Sequence, residues 1–522
     1  MKFPNPRPMI ILAMLFCWPV ITNTQNIEVT ASIHDFIYSS AKRHKIIGHD
    51  QDHFYVIKFQ ANQYYLQKVD QNLNPVVEQP IKLYQGIKTY QLVNVVHFYN
   101  EIYVFFSLTR FNNITLYYQK IDKGSMSPST DITEVTTVEN IKGAWADFFV
   151  MLSRRETKLL IACITKLAWS KDQFNEFYVY GEGLTLLWKR KDTYQFKGLG
   201  PRDNQFEVDE LGNVSILSVL RNENILSVIT RTKERKLYSI YRYTHDGQSY
   251  NEYPVTLGTR YIRGIRIVGG DQGELICAGL YSELFSTGVK GTFFYKIDPE
   301  TGRIYDNSLN PYDEALMSQL AAMKEPMRKD EELIYYIVTD MVTRENGRIM
   351  MIAEQVFDQS YDTYNNLIVT SFENNGQVYW NRVVEKHQDF NYTGSTKYGI
   401  ELSDYRDHIM QTGYIYQGLE NYCSYALMAP LDRAGIIVFY NDDIKNLDNP
   451  QEKRNFSRPR KSYILAVAID EFGNISKKSL TAWTKKALYP EPVRFYDTLH
   501  ETVVIPAFRG RRYNYYKITA TY

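Results

Sequence analysis

Net charge is almost absent from this chain: 60 Lys and Arg stand against 59 Asp and Glu. That balance removes the electrostatic footprint of a nucleic-acid binder or of a protein held to anionic lipid. Cysteine is scarce, with 4 in 522 residues. A disulfide scaffold and a cysteine-rich structural zinc site are therefore excluded. The 9 histidines are scattered. His53, His97, His245, His387 and His408 include no pair at i, i+4 on a helix or i, i+2 on a strand, so no metal is expected. Also missing are G-x-S-x-G, H-E-x-x-H, a P-loop, and G-x-G-x-x-G after a strand. Nothing in the chain calls for a cofactor. Beyond the first residues no apolar run approaches the roughly 20 residues that span a bilayer.

Residues 1–24 read as an export signal. Lys2 and Arg7 give a positive start, Met9 to Ile21 form an apolar core, and Thr22-Asn23-Thr24 follow. The core is too short for a membrane anchor, which needs about 20 residues. Lipid attachment at Cys17 is the alternative, and Phe16 before it is too large for that processing. Removal of the signal leaves Cys163, Cys277 and Cys423. Cys163 and Cys277 lie in apolar runs (LLIACIT and ELICAGL) and are expected as buried thiols.

Aromatic residues make up 14% of the chain, and Tyr alone numbers 43. They fall in short runs rich in Ile, Val, Tyr and Phe, such as HFYVIKFQ (53–60), EIYVFFSLT (101–109) and RIMMIAE (348–354). Such runs mark strands, several of them buried on both faces. Turn signals separate them: Asp209 to Asn213 (DELGN), Asp246-Gly247, Asp298 to Gly302 (DPETG), Asn375-Gly376 and Asp470 to Asn474 (DEFGN). Gly181-Glu182-Gly183 reads as another hairpin.

A unit recurs: short strand, apolar strand, aromatic strand, turn, final strand. Copies begin near His53, Tyr90, Ala146, Gln205, Tyr261, Tyr335 and Tyr398, with a partial set over 436–522. The steps mostly match propeller blades. Radial stacking buries the faces that one such sheet leaves open. The expectation is an all-β fold: a single β-propeller of four-stranded antiparallel sheets over residues 25–522, with about seven blades and six to eight allowed. The final strand, Tyr515–Thr521, should help close the ring. One helical insertion is expected at about 311–329, with Leu316, Leu320, Met323 and Met327 on one face and Pro326 kinking or ending it.

Candidate site residues come from two places. A propeller glycosidase would set paired carboxylates at its axis, and Asp147, Asp340, Glu354 and Asp404 are the acids available for it. The second place is a polar series at the ends of apolar strands: Glu354 and Gln355, then Lys386-His387-Gln388, Ser424, and Asn441-Asp442. Buried polar groups must find partners. They either bond between blades or line a ligand pocket, and Glu354, Gln355, Asn441 and Asp442 are the ligand-binding candidates.

The succession AEQ, NNLIV, NGQVYW, SYA and FYNDD, preceded by GLYSE and GVKGTFFYKID, resembles a group of uncharacterised exported β-propeller-like proteins of Bacteroidota. The resemblance covers mainly residues 260–450. It implies a Gram-negative host and a destination in the periplasm, outer membrane or cell surface, and no reaction or catalytic residue. The leading expectation is a non-enzymatic recognition or scaffold protein of the cell envelope that binds a protein or glycan through its loops. The alternatives are a carbohydrate-active hydrolase or lyase with acids at the propeller axis, and an accessory subunit of an outer-membrane complex.

Overall fold

The computed structural model describes the chain from Asn26 to Thr521, apart from 83–89, 196–204, 221–236, 391–421, 449–455, 481–487 and gaps of five residues or fewer. The described residues form an eight-bladed β-propeller of antiparallel four-stranded sheets. Blades 1 to 7 take up residues 43–80, 91–139, 144–195, 205–255, 261–311, 336–384 and 426–479. Blade 8 takes up residues from 489 to 521 and is completed by Asn26–Ala31. That strand pairs antiparallel with Arg512–Thr521, from Asn26 opposite Thr521 to Ala31 opposite Tyr516. The ring is closed by joining the first described strand to the last, as anticipated for the C-terminal strand.

The first strand of each blade lies innermost. First strands touch one another between blades 1 and 2, 2 and 3, 4 and 5, 5 and 6, and 8 and 1, while the fourth strands alternate exposed and half-buried residues. Second strands are buried over most of their length, and over all of it in Leu275–Ser282. Their continuous apolar runs follow from having a neighbouring blade on each face. An apolar cluster lies at each of the eight blade interfaces. Ile46, Phe54 and Val69 of blade 1 meet Val504, Phe508 and Tyr513 of blade 8. Ile352, Leu367 and Val369 of blade 6 meet Leu427, Val438 and Leu465 of blade 7. Each fully buried side chain of this kind contributes about 1.5–3 kcal/mol. Much of the Tyr excess is accounted for here, since Tyr55, Tyr243, Tyr425, Tyr440, Tyr513 and Tyr515 are fully buried.

Polar side chains stitch the inner ring. Asn94 Nδ2 donates to Val150 O at 2.8 Å, from blade 2 to blade 3. Gln205 of blade 4 donates to Ile267 O at 2.9 Å and accepts from Ile267 N at 3.1 Å. Arg266 Nε of blade 5 donates to Val338 O of blade 6 at 3.2 Å. The outer strands grip the turn of the next blade in a repeated way. Arg190 donates to Gly247 O at 2.6 Å, Asn310 to Gly376 O at 3.0 Å, and Arg382 to Gly473 O at 2.6 Å.

The DELGN and DEFGN turns have one geometry. Oδ1 of Asp209 accepts from Leu211 N and Asn213 N at 3.0 and 2.8 Å, and Oδ2 accepts from Asn213 Nδ2 at 2.8 Å. Asp470 repeats this with Phe472 and Asn474. Asp70 repeats it with Asn72 and Asn74, where Leu73 takes the positive φ that glycine takes elsewhere. At Gly473 φ is 80°, and a Cβ would lie 2.8 Å from Trp380 Cδ2. Gly473→Ala is expected to cost at least the 1–2 kcal/mol of a left-handed alanine, roughly. A urea midpoint unchanged from the parent would refute this account of the turn.

Two details differ from the sequence reading. The helix spans Glu314–Ala322, capped by Asp313, whose side chain accepts from Leu316 N at 2.7 Å. It ends four residues before Pro326, and Leu316 and Leu320 bury against blades 5 and 6. The blade boundaries also shift. Blade 1 begins at Arg43 instead of His53, and the partial set at the end resolves into two blades. Their inner strands are only Ala426–Met428, and Tyr489–Pro490 with Tyr496–Asp497. Strands of two or three residues carry no periodic signal. The expected copy start at Tyr398 and the signal segment 1–24 with Cys17 lie outside the described residues. Cys163, Cys277 and Cys423 are buried free thiols. No helix among the described residues is long and apolar enough to cross a membrane.

Candidate functional site

The polar series converges in space, at the junction of blades 6, 7 and 8. Glu354 and Gln355 lie near the end of the second strand of blade 6, Ile349–Asp358, and Asn441 lies near the end of Ile436–Asp443 in blade 7. Glu354, Gln355, Gln388 and Asn441 have no exposed surface, and Lys386 is 1% exposed. Lys386 Nζ meets Glu354 Oε1 at 2.6 Å, Tyr364 O at 2.8 Å and Gln388 Oε1 at 3.0 Å. Ser424 Oγ of the linker into blade 7 donates to Glu354 Oε2 at 2.8 Å. Gln388 Nε2 donates to Asn441 O at 2.9 Å. Asn441 Nδ2 donates to Tyr422 O at 2.9 Å and Pro490 O at 2.8 Å, reaching blade 8. Gln355 Nε2 donates to Ile334 O at 3.1 Å.

The lysine and the glutamate satisfy each other, and neighbouring groups take up their remaining capacity, the condition under which a buried pair is tolerated. These side chains are joined to protein at every polar atom but one: Asn441 Oδ1 is buried without a hydrogen-bond partner among the described residues. Asp442 stands apart: half-buried, it accepts from Asn446 Nδ2 at 2.7 Å and Tyr463 OH at 3.1 Å. Burial pushes its carboxyl up, and its bonds to Asn446, Asp443 and Tyr463 oppose this.

The candidate acids do not gather. Asp340 accepts from Tyr425 OH across the interface of blades 6 and 7, Asp147 lies on the inner strand of blade 3, and Asp404 is outside the described residues. A different set of acids occupies the axial mouth, on the face made by the first and third turns of each blade. Arg154 follows the inner strand of blade 3, and its Nη1 donates to Thr343 Oγ1, the last residue of the inner strand of blade 6. Blades 3 and 6 are three steps apart in a ring of eight, so this guanidinium crosses the mouth.

Burial pushes the Glu207 carboxyl up to about 7, with Arg154 and the bond from Gly269 N opposing it. Burial likewise raises Asp497 to about 6, against the bonds from Ala429 N and Leu499 N and the charges of Arg344 and Arg154. Glu156 rises to about 7 through burial and the nearby Glu210. Glu156 also takes a left-handed backbone, φ 58°. Sequence reasoning missed Arg154, Glu156, Glu207 and Asp497. Charged residues in turns and short strands are ordinary, and only ring closure brings blades 3, 4, 6 and 8 to one point.

These carboxyls have a pH consequence. Folded-state values above the unfolded ones mean that the folded form holds extra protons between about pH 4.5 and 7. The stability they contribute is present below that window and is lost as pH rises through 7. His97 acts in the opposite sense, since burial and Lys123 push it down to about 4. Its effect is largely spent above about pH 6.5, where the unfolded histidine is already half titrated. Stability is therefore expected to fall from about pH 6.5 to 8, and Glu207→Gln should flatten that fall. Urea midpoints at the two pH values check this; equal slopes in parent and variant would refute it.

Among the described residues no group of three His, Cys, Asp or Glu is placed to hold a metal ion. Exposed large hydrophobics are concentrated on the face that carries the axial mouth. Among the described residues, all but Leu309 sit in a first or third turn or within the first two residues of the outer strand that follows. Tyr99, Leu187, Leu211, Tyr305 and Phe472 are examples, from five different blades.

No family model matches the chain, and no curated protein matches it. The chain is distantly similar to several solved structures. The WD40 domain of SCAP from fission yeast is 9% identical, with a TM-score of 0.39, over 95% of this chain and 94% of that one. An uncharacterised protein from Listeria monocytogenes EGD-e is 7% identical, with a TM-score of 0.35, over 90% and 92%. The polysaccharide lyase Uly1 is 8% identical, with a TM-score of 0.37, over 84% and 92%.

Proposed function

We propose that the chain is a non-enzymatic recognition or scaffold protein of the cell envelope, binding a protein or glycan through the turn face of the propeller. The carrying observation is the concentration of exposed apolar side chains on that face, in turns otherwise built from Asp, Asn and Gly. Apolar side chains at turn positions contribute nothing to the blade cores and supply contact area to a partner. Export by residues 1–24 and kinship with the Bacteroidota group belong to the same proposal.

The test is a tagged-chain pull-down from native envelopes, with a Leu211→Asp/Phe472→Asp variant beside the parent. Expected is a partner held by the parent and released by the variant, with both chains melting alike. A partner held equally by both overturns the placement on this face, and no captured partner together with no glycan bound overturns the reading.

A second reading, a carbohydrate hydrolase or lyase, has one observation in its favour: Glu156, Glu207 and Asp497 have carboxyls raised toward neutrality at the axial mouth. Acids poised near pH 7 suit general acid–base chemistry. Against it stands Arg154, which bridges the mouth that a substrate would enter. Turnover of a polysaccharide panel, abolished by Glu207→Gln, would establish this second reading.

A further inference from the structure

A depression of about 690 Å³ opens beside the inner ring where blades 1 and 2 meet, lined by His49, Asp50, Gln51, Asp52, His97 and Asn100. All six lie at the ends of the inner strands Arg43–His49 and Gln91–Phe98 or in the turns that follow them. Its size falls in the range of small-molecule sites.

Its floor is rigid. Asp50 Oδ1 accepts from Asp52 N at 3.1 Å and His53 N at 2.9 Å, and Oδ2 accepts from Tyr55 OH at 2.5 Å. Lys123 Nζ lies 2.6 Å from Oδ2. Burial would raise this carboxyl, yet the bonds from Lys123 and Tyr55 outweigh it and hold the group ionised. His97 stacks on Tyr55, with centroids 5.3 Å apart and planes 19° apart. Gly48 backs it so closely that a Cβ there would come within 2.1 Å of His97 Cβ. The ring cannot retreat.

Bonding capacity is left over on this rigid frame. His97 is 6% exposed, and its Nε2 has no hydrogen-bond partner among the described residues. An unpartnered buried ring nitrogen is costly and calls for an occupant. The exposed side chains of Gln51 and Asp52 make no hydrogen bond or ion pair with the described residues. Asn100 Oδ1 accepts from Lys123 Nζ at 2.5 Å, which leaves its amide N–H groups. Next to Asn100, Tyr99 holds an exposed ring in place through its hydroxyl, which donates to Thr157 O at 3.1 Å.

Charge narrows the ligand. Asp50 and Asp52 repel an anion. Lys123 and Lys517, which act on His97 and His49, repel a cation. Both imidazoles are held below their usual value by burial and so stay neutral. A neutral molecule rich in hydroxyl groups fits: Asp52 and Gln51 accept from hydroxyls, and Asn100 and Gln51 donate to them. We infer that this depression binds a neutral saccharide unit. The inference deepens the recognition reading above and rests on it.

Test the purified full chain by calorimetry against neutral gluco-, galacto-, manno- and N-acetylglucosamine oligosaccharides, with uronic-acid and sulfated oligomers alongside. At least one neutral oligomer should bind with a Kd on the order of 0.1 mM. Gln51→Ala/Asp52→Ala should weaken it about tenfold or more while the melt stays unchanged. The His97 Nε2 resonance should move on saturation, a shift that a remote site would not cause. Binding of none of the neutral oligomers at about 10 mM, binding of charged oligomers only, or binding unaffected by the double variant overturns the assignment. The Leu211 and Phe472 pull-down separates the two claims. A partner captured without saccharide binding sinks this inference alone, and saccharide binding without a partner upholds the glycan arm of the recognition reading.

Discussion

Lys386→Ala is expected to destabilise the protein by about 3–5 kcal/mol, because Glu354 would be left charged in the interior without its partner. Glu354 has no exposed surface, and its remaining side-chain donor is Ser424 Oγ at 2.8 Å. The loss would also free Tyr364 O and Gln388 Oε1, both of which accept from the same ammonium. Lys386→Met with Glu354→Gln should recover much of the loss, since the pair is then replaced by groups of similar shape without charge. Urea unfolding of the parent, single and double variants checks this. Equal midpoints in parent and Lys386→Ala would show that the network is not a strut. A normal melt with a lost ligand would make Glu354, Gln355 and Asn441 a binding site after all.

The second large effect is expected on removing Asn26–Ala31. These six residues form the outer strand of blade 8 and pair along Arg512–Thr521 from Tyr516 to Thr521. Without them that strand becomes an open edge with unpaired backbone groups, which favours pairing between molecules. Blade 8 would then be tied to the ring through its own three segments and the blade interfaces alone. The expected result is a broadened, lower thermal transition and concentration-dependent aggregation on size exclusion. A sharp, unshifted transition in the shortened chain would show that closure by this strand adds nothing to stability.

How far the residues foretold the molecule varies by element. The second strands were legible. The runs at 53–60, 101–109 and 348–354 coincide with strands His53–Gln60, Glu101–Arg110 and Ile349–Asp358 to within a few residues. Their signal is strong because a neighbouring blade covers each face, leaving an apolar residue at almost every position. The turns were legible too, since Asp, Asn and Gly at fixed offsets answer to local backbone geometry alone. The eighth blade was not counted separately. Its inner pieces, Tyr489–Pro490 and Tyr496–Asp497, are too short for a period, and its outer strand comes from the other end of the chain.

The site divides in the same way. Glu354, Gln355 and Asn441 stood out because a polar residue ending an apolar run must be answered by a partner. The identity of that partner is a fact of packing: Lys386 and Ser424 lie 32 and 70 residues from Glu354. The axial set was invisible for a stronger reason. Arg154 and Thr343 are 189 residues apart and meet only because eight blades bring their inner strands around one axis.

By itself, the sequence determined the all-β class, the blade-like repeat and the turns, since each depends on residues close in the chain. The tertiary structure alone decided the number of blades, the closing strand, the partners of the buried charges, and which groups face the mouth and the depression beside it. Those depend on where the ring closes, and closure joins residues that no local pattern links.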